Sequence, residues 1–128
     1  MLKAKDIMTK DVVTISPDAT LADAIGLLVA KEISGMPVID ADENMIGIIS
    51  EKDIINFAFS GNLHNTKVKE AMSKNITSFP PDADVDSIAL AISHHQFRRV
   101  PIVEKGKVVG VISRRDIIRV ALQLHLKK

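Results

Sequence analysis

The 128-residue chain repeats itself. Met8, Pro17, Asp18, Ala19 and Pro37 recur 64 positions later as Met72, Pro81, Asp82, Ala83 and Pro101. One turn is shorter in the second half (Lys105 to Lys107 against Ala41 to Asn44), and the offset then becomes 63. In that register Gly47, Ile49, Ser50, Asp53, Ile54 and Ile55 match Gly110, Ile112, Ser113, Asp116, Ile117 and Ile118. A tandem duplication confines the fold to two copies of one supersecondary unit, divided as residues 1–64 and 65–128. A copy of about 60 residues leaves one sheet face poorly covered, so the copies are expected to pack through their sheets as one pseudo-twofold module.

The pattern within each copy reads β-α-β-β-α, an α/β fold. Val12 to Ile15 is a short β-rich run closed by the turn Ser16-Pro17-Asp18, with Asp18 or Thr20 available as a helix cap. Leu21, Ala24, Ile25, Leu28 and Val29 then form an apolar stripe at helical spacing. Met36 to Ile39 and Met45 to Ile49 predict a hairpin around the polar turn at Asp40 to Asn44. Ser50 opens a second helix, whose Ile54, Ile55 and Ala58 are expected to extend the core before Gly61-Asn62 ends it. The second copy predicts elements at Ile76–Phe79, Val85–His95, Val100–Val103, Val108–Ile112 and Arg114–His125.

Composition excludes several function classes. The absence of cysteine removes disulfides, zinc ribbons, iron–sulfur clusters and thiol nucleophiles, and suits a reducing, cytoplasmic setting. No apolar run approaches membrane-spanning length and the N-terminus lacks a signal peptide, so no membrane partner is expected. A net charge of +1 and 3% aromatic residues argue against nucleic acid as a partner. His94 and His95 are adjacent and diverge on a helix, so no metal site is expected. No nucleophile motif, paired carboxylates or phosphate-binding P-loop stands out, and the chain reads as a non-enzyme without a cofactor. The charge is unevenly spread: residues 1–64 carry 5 basic against 10 acidic side chains, and residues 65–128 carry 12 against 6. All five arginines lie in the second half, which suggests a local anion site.

Two copies of a Pro-Asp turn, an apolar-Pro strand (Met36-Pro37, Val100-Pro101) and Gly-apolar-apolar-Ser-x-x-Asp (Gly47 to Asp53, Gly110 to Asp116) resemble a tandem pair of cystathionine β-synthase (CBS) domains, the Bateman module. The resemblance covers essentially the whole chain. It implies a regulatory module without chemistry of its own that binds adenine nucleotide (AMP, ADP or ATP) or a related adenosyl ligand between its repeats. It also implies a homodimer, a role in energy sensing and an effector protein that the sequence does not name.

Physically, Ser50 and Asp53 stand where a strand becomes a helix N-terminus. Free N–H groups there favour phosphate, and an acidic side chain can accept from both ribose hydroxyls. The same Ser-x-x-Asp spacing also reads as a capping box in which Ser50 caps the helix and Asp53 reaches back. The resemblance implies a first cleft in which Ser50 and Asp53 meet the phosphate-binding Arg98 and Arg99, with Arg115 alongside and Thr77, Ser78 and Ile48 at the adenine end. A second, weaker cleft would join Ser113 and Asp116 to Val13, Thr14, Ser34 and Gly35, where no arginine is present. The alternative is a docking or dimerisation scaffold with empty clefts, its arginines serving an interface.

Overall fold

The computed structural model describes every residue except Met1, Ala58, Ser60, Gly61, Lys127 and Lys128, with backbone only at His125 and Leu126. The chain forms two compact units, Val13–Ile76 and Met1–Val12 with Thr77–Lys128. Compact units and sequence repeats are therefore different cuts of the same chain.

In the unit Val13–Ile76, helix α2 (Leu21–Lys31) starts at Thr20, whose Oγ1 accepts from the Asp23 N–H at 3.1 Å while Asp23 Oδ2 accepts from the Thr20 N–H at 3.1 Å. These bonds satisfy amides that a helix start leaves open. The helix ends at Glu32 in a left-handed conformation, φ 54°. Strands β1 (Gly35–Ile39) and β2 (Met45–Ser50) pair antiparallel, with the register shifting between Val38 and Ile39. The predicted strand at Val12–Ile15 reduces to one parallel bridge from Ile15 to Val38, with bonds from Ile15 N–H to Pro37 O and from Ile39 N–H to Ile15 O. Pro17, which lacks an N–H, turns the chain away before a ladder can grow. Leu21, Ala24, Leu28, Met36, Val38, Ile49 and Val68 form the core with Ile15 and Ile54.

Two apolar positions depart from the sequence pattern. Val29 is 73% exposed and Ile55 is 65% exposed. Helix α3 (Glu51–Ile55) is one turn and a half long, so burying Ile54 rotates its neighbour out to solvent. The expected continuation through Ala58 to Gly61 lies outside the described residues.

The other unit repeats the plan. Helix α5 (Val85–His95) buries Val85, Ile88 and Ile92 and ends at Gln96 with φ 56°. Strands β3 (Arg99–Glu104) and β4 (Lys107–Ser113) pair antiparallel, and Phe79 makes the parallel bridge, to Ile102. Helix α6 (Arg114–Leu126) follows directly.

Two short helices escaped the periodicity, α1 (Ala4–Ile7) and α4 (Val68–Ala71). They make equivalent contacts in the two units. The Val68 and Lys69 amides donate to the Ala19 and Pro17 carbonyls at 2.8 and 3.0 Å, and the Ala4 and Lys5 amides donate to Ala83 and Pro81 at the same distances. Lys69 pairs with Asp18 at 3.2 Å, and Lys5 with Asp82 at 2.9 Å. The Pro-Asp-Ala turns are thus docking points for these helices. Asp84, at the position matching Thr20, makes no side-chain cap bond and instead holds the Lys3 ammonium at 2.7 Å.

Candidate functional site

The Ser-x-x-Asp motifs occupy the strand-to-helix corners of the two units. In Val13–Ile76, Ser50 ends β2 opposite Gly35, and the Glu51 N–H donates to the Ser34 carbonyl at 2.9 Å. Ser34, Gly35, Ser50 and Asp53 therefore share one corner. Asp53 Oδ2 accepts from the Ser50 N–H at 3.0 Å and from the Ser50 hydroxyl at 2.9 Å, while the Asp53 N–H points back at Ser50 Oγ at 3.4 Å. The capping box is real, and it fixes the carboxylate at the mouth of the helix through Oδ2; among the described residues Asp53 forms no ion pair.

The matching corner carries the arginines. Arg99 lies opposite Ser113 in the hairpin, and the Arg114 N–H donates to the Arg98 carbonyl at 2.9 Å. Arg98, Arg99, Ser113 and Asp116 thus gather at one end of the hairpin, with Arg115 exposed in the first turn of α6. Asp116 Oδ2 accepts from the Ser113 N–H at 2.9 Å, and Ser113 Oγ accepts from the Asp116 N–H at 3.1 Å. Sequence reasoning passed over Arg119, whose Nη1 stands 3.6 Å from Asp116 Oδ1. The signal was its i,i+3 spacing from Asp116, absent at the matching Asn56.

The remaining candidates flank these corners. Val13 and Thr14 are half-buried just before the Ile15 bridge, and Thr77 and Ser78 are exposed just before Phe79. Ile48, half-buried in β2 opposite Pro37, exchanges backbone bonds with Ser73 at 2.9 and 2.8 Å. Ser50, Asp53 and Ile48 belong to one unit, and Arg98, Arg99, Arg115, Thr77 and Ser78 to the other.

The glycine of the motif does not make room for a ligand: a Cβ on Gly47 would stand 2.6 Å from the Met72 sulfur and 3.1 Å from the Ser73 carbonyl oxygen. The space is filled by the protein itself, and Met8 closes over Gly110 in the same way. Among the described residues no group of three or more His, Cys, Asp or Glu side chains could hold a metal, and no helix is long and apolar enough to cross a membrane.

The family model of the CBS domain matches residues 4–60 and again 68–123. The chain belongs to the CBS-domain family. Its relatives place such pairs in several contexts. This CBS pair is 30% identical over 118 residues to the CBS domain-containing protein YhcV of Bacillus subtilis, covering 91% of this chain and 84% of that one. It is 31% identical over 118 residues to inosine-5'-monophosphate dehydrogenase of Methanocaldococcus jannaschii, covering 91% of this chain but only 23% of the dehydrogenase. A second M. jannaschii relative, MJ1225, is spanned over 41% of its length.

Among solved structures, CBSX2 in complex with AMP superposes with a TM-score of 0.89 at 26% identity over 98% of this chain and 99% of that one. CBSX2 is a CBS-pair protein of Arabidopsis thaliana. The CBS pair of MJ0100, in complex with 5'-methylthioadenosine and S-adenosyl-L-methionine, gives 0.85 at 26% identity over 97% and 98% of the two chains. The α/β architecture of tandem CBS repeats is thus established, and similar pairs bind small adenosyl ligands.

Proposed function

We propose that this CBS pair is a non-catalytic sensor that binds adenine nucleotide and passes its ligand state to a partner or to a homodimer. The observation that carries the reading is the likeness over nearly the whole chain to a CBS pair holding AMP. In this reading the Asp53 carboxylate, anchored through Oδ2 by Ser50, uses Oδ1 to accept from the ribose hydroxyls. Arg98 and Arg99, with Arg115, hold phosphate, the geometry for which a guanidinium fork is suited. Thr77, Ser78 and Ile48 line the adenine end. A second place, built on Ser113 and Asp116 with Val13, Thr14, Ser34 and Gly35, takes an adenosyl ligand; the sequence places no arginine among these six, but Arg119 stands 3.6 Å from Asp116 Oδ1. S-adenosylmethionine and 5'-methylthioadenosine, the ligands in the MJ0100 complex, are the compounds to try there.

Titration calorimetry with AMP, ADP, ATP, S-adenosylmethionine and adenosine tests the reading. We expect at least one nucleotide to bind at roughly micromolar strength. Asp53→Ala should weaken every ligand by about tenfold or more, the worth of a charge-assisted bond. Arg98→Ala with Arg99→Ala should weaken the nucleotides while sparing adenosine. Thermal melting of each variant separates loss of the site from loss of the Asp53 cap, about 1 kcal/mol. No binding of any adenosyl ligand at millimolar concentration would turn the reading to a docking scaffold.

A further inference from the structure

We propose that Arg119 competes with ligand for the Asp116 carboxylate, so that the two Ser-x-x-Asp corners differ in strength for a ribose diol; this rests on the adenosyl-binding reading above. The two motifs are identical in spacing and in their backbone bonds: Ser50 and Ser113 each donate an N–H to Oδ2 of the aspartate three residues on, at 3.0 and 2.9 Å. They differ in what is left. Among the described residues Asp53 forms no ion pair, and the residue three positions after it is Asn56. At the other corner the corresponding residue is Arg119, 3.6 Å from Asp116 Oδ1.

A vicinal diol needs that free oxygen as its acceptor. At Asp53 no cation among the described residues stands against it; at Asp116 the hydroxyls must first displace a guanidinium. Asp116 has 16% of its side chain exposed, and the Arg119 guanidinium stands beside the one oxygen that the capping box leaves for a ligand. Arg119 is 62% exposed, and its displacement costs only what an exposed ion pair contributes, about a two- to fivefold weakening. The consequence is a graded pair of corners, one filling before the other.

Adenosine, which has no phosphate for an arginine to hold, is the probe. Titrated into labelled protein, it should shift the Ser50 and Asp53 amides at lower concentration than the Ser113 and Asp116 amides. Arg119→Ala should tighten the Asp116 corner about two- to fivefold, and Asn56→Arg should weaken the Asp53 corner by a similar factor. Near 1 M salt, where the screening length falls to about 3 Å, the wild-type gap should narrow. If Arg119→Ala leaves the Asp116 corner unchanged or weakens it, Arg119 is not a competitor, and the adenosyl-binding reading stands. If adenosine shifts neither corner in the wild type or in Arg119→Ala, the adenosyl-binding reading itself falls and takes this inference with it.

Discussion

At position 47 a hydrogen atom in place of a methyl group lets the Met72 thioether close over β2, and the Gly110–Met8 pair repeats the arrangement. Gly47→Ala should therefore destabilise the protein by about 1–3 kcal/mol as Met72 is pushed aside. Met72→Ala in the same chain should recover part of that loss, leaving the share due to the Ser73 carbonyl, and urea denaturation of the single and double variants measures both. The spacing of glycine, serine and aspartate was legible in the sequence; which neighbour needed the glycine was not, because Met72 lies 25 positions away and meets it only through the fold. A second residue-scale prediction concerns pH. The hydrogen bond and charge of Lys5 hold the Asp82 carboxyl below its ordinary 3.8, and Asp82 in turn raises Lys5 above 10.5. A depressed carboxyl stabilises the fold above its unfolded value and loses that effect as pH falls through the lowered one; a raised amine stabilises below its unfolded value and loses it as pH climbs. The tie is thus level through neutrality and slackens at both extremes. Protection of the Ala4 amide, bonded to Ala83 O, should fall below about pH 4, and Asp82→Asn should reproduce that loss at pH 7.

At the scale of elements, the long helices and both hairpins could be read from periodicity, because α2 and α5 each bury a stripe spaced at three and four residues. Four-residue helices carry no such period. Ala4 and Val68, both fully buried, hold α1 and α4 in place through contacts far away in sequence, which no local pattern records. The candidate corners were visible for the opposite reason: a cap and its helix are local, so Ser50 with Asp53 and Ser113 with Asp116 could be placed from spacing alone. Both long helices in question end on non-glycine residues in the left-handed region, Glu32 and Gln96. Glu32→Gly and Gln96→Gly should each stabilise by about 0.5–1 kcal/mol, the relief of the Cβ clash outweighing the added freedom of the unfolded chain. Each appears as a rise in melting temperature; a fall would mean that the side chains contribute more than the strain they carry.

For the whole molecule, the exchange of short helices decides where the chain can be divided. A fragment 13–76 keeps Val68, whose N–H reaches Ala19, and Thr66, whose carbonyl accepts from Leu21; a fragment 1–64 has neither. The first should unfold cooperatively and give a dispersed amide spectrum, although at this size its stability will be marginal. The second should lack both. Equal midpoints for the two would show that α4 contributes nothing to its unit.

The unit Val13–Ile76 is a continuous stretch, whereas its companion is assembled from residues 1–12 and 77–128. As the chain leaves the ribosome, the continuous unit can close once residue 76 has emerged. Residues 1–12, though made before that unit, wait for strands made after it. The order of synthesis and the order of folding thus run against each other for this arm. Until Pro81, Ala83 and Val111 have followed, the carbonyls outside the arm that its amides bond in the folded chain do not yet exist for it.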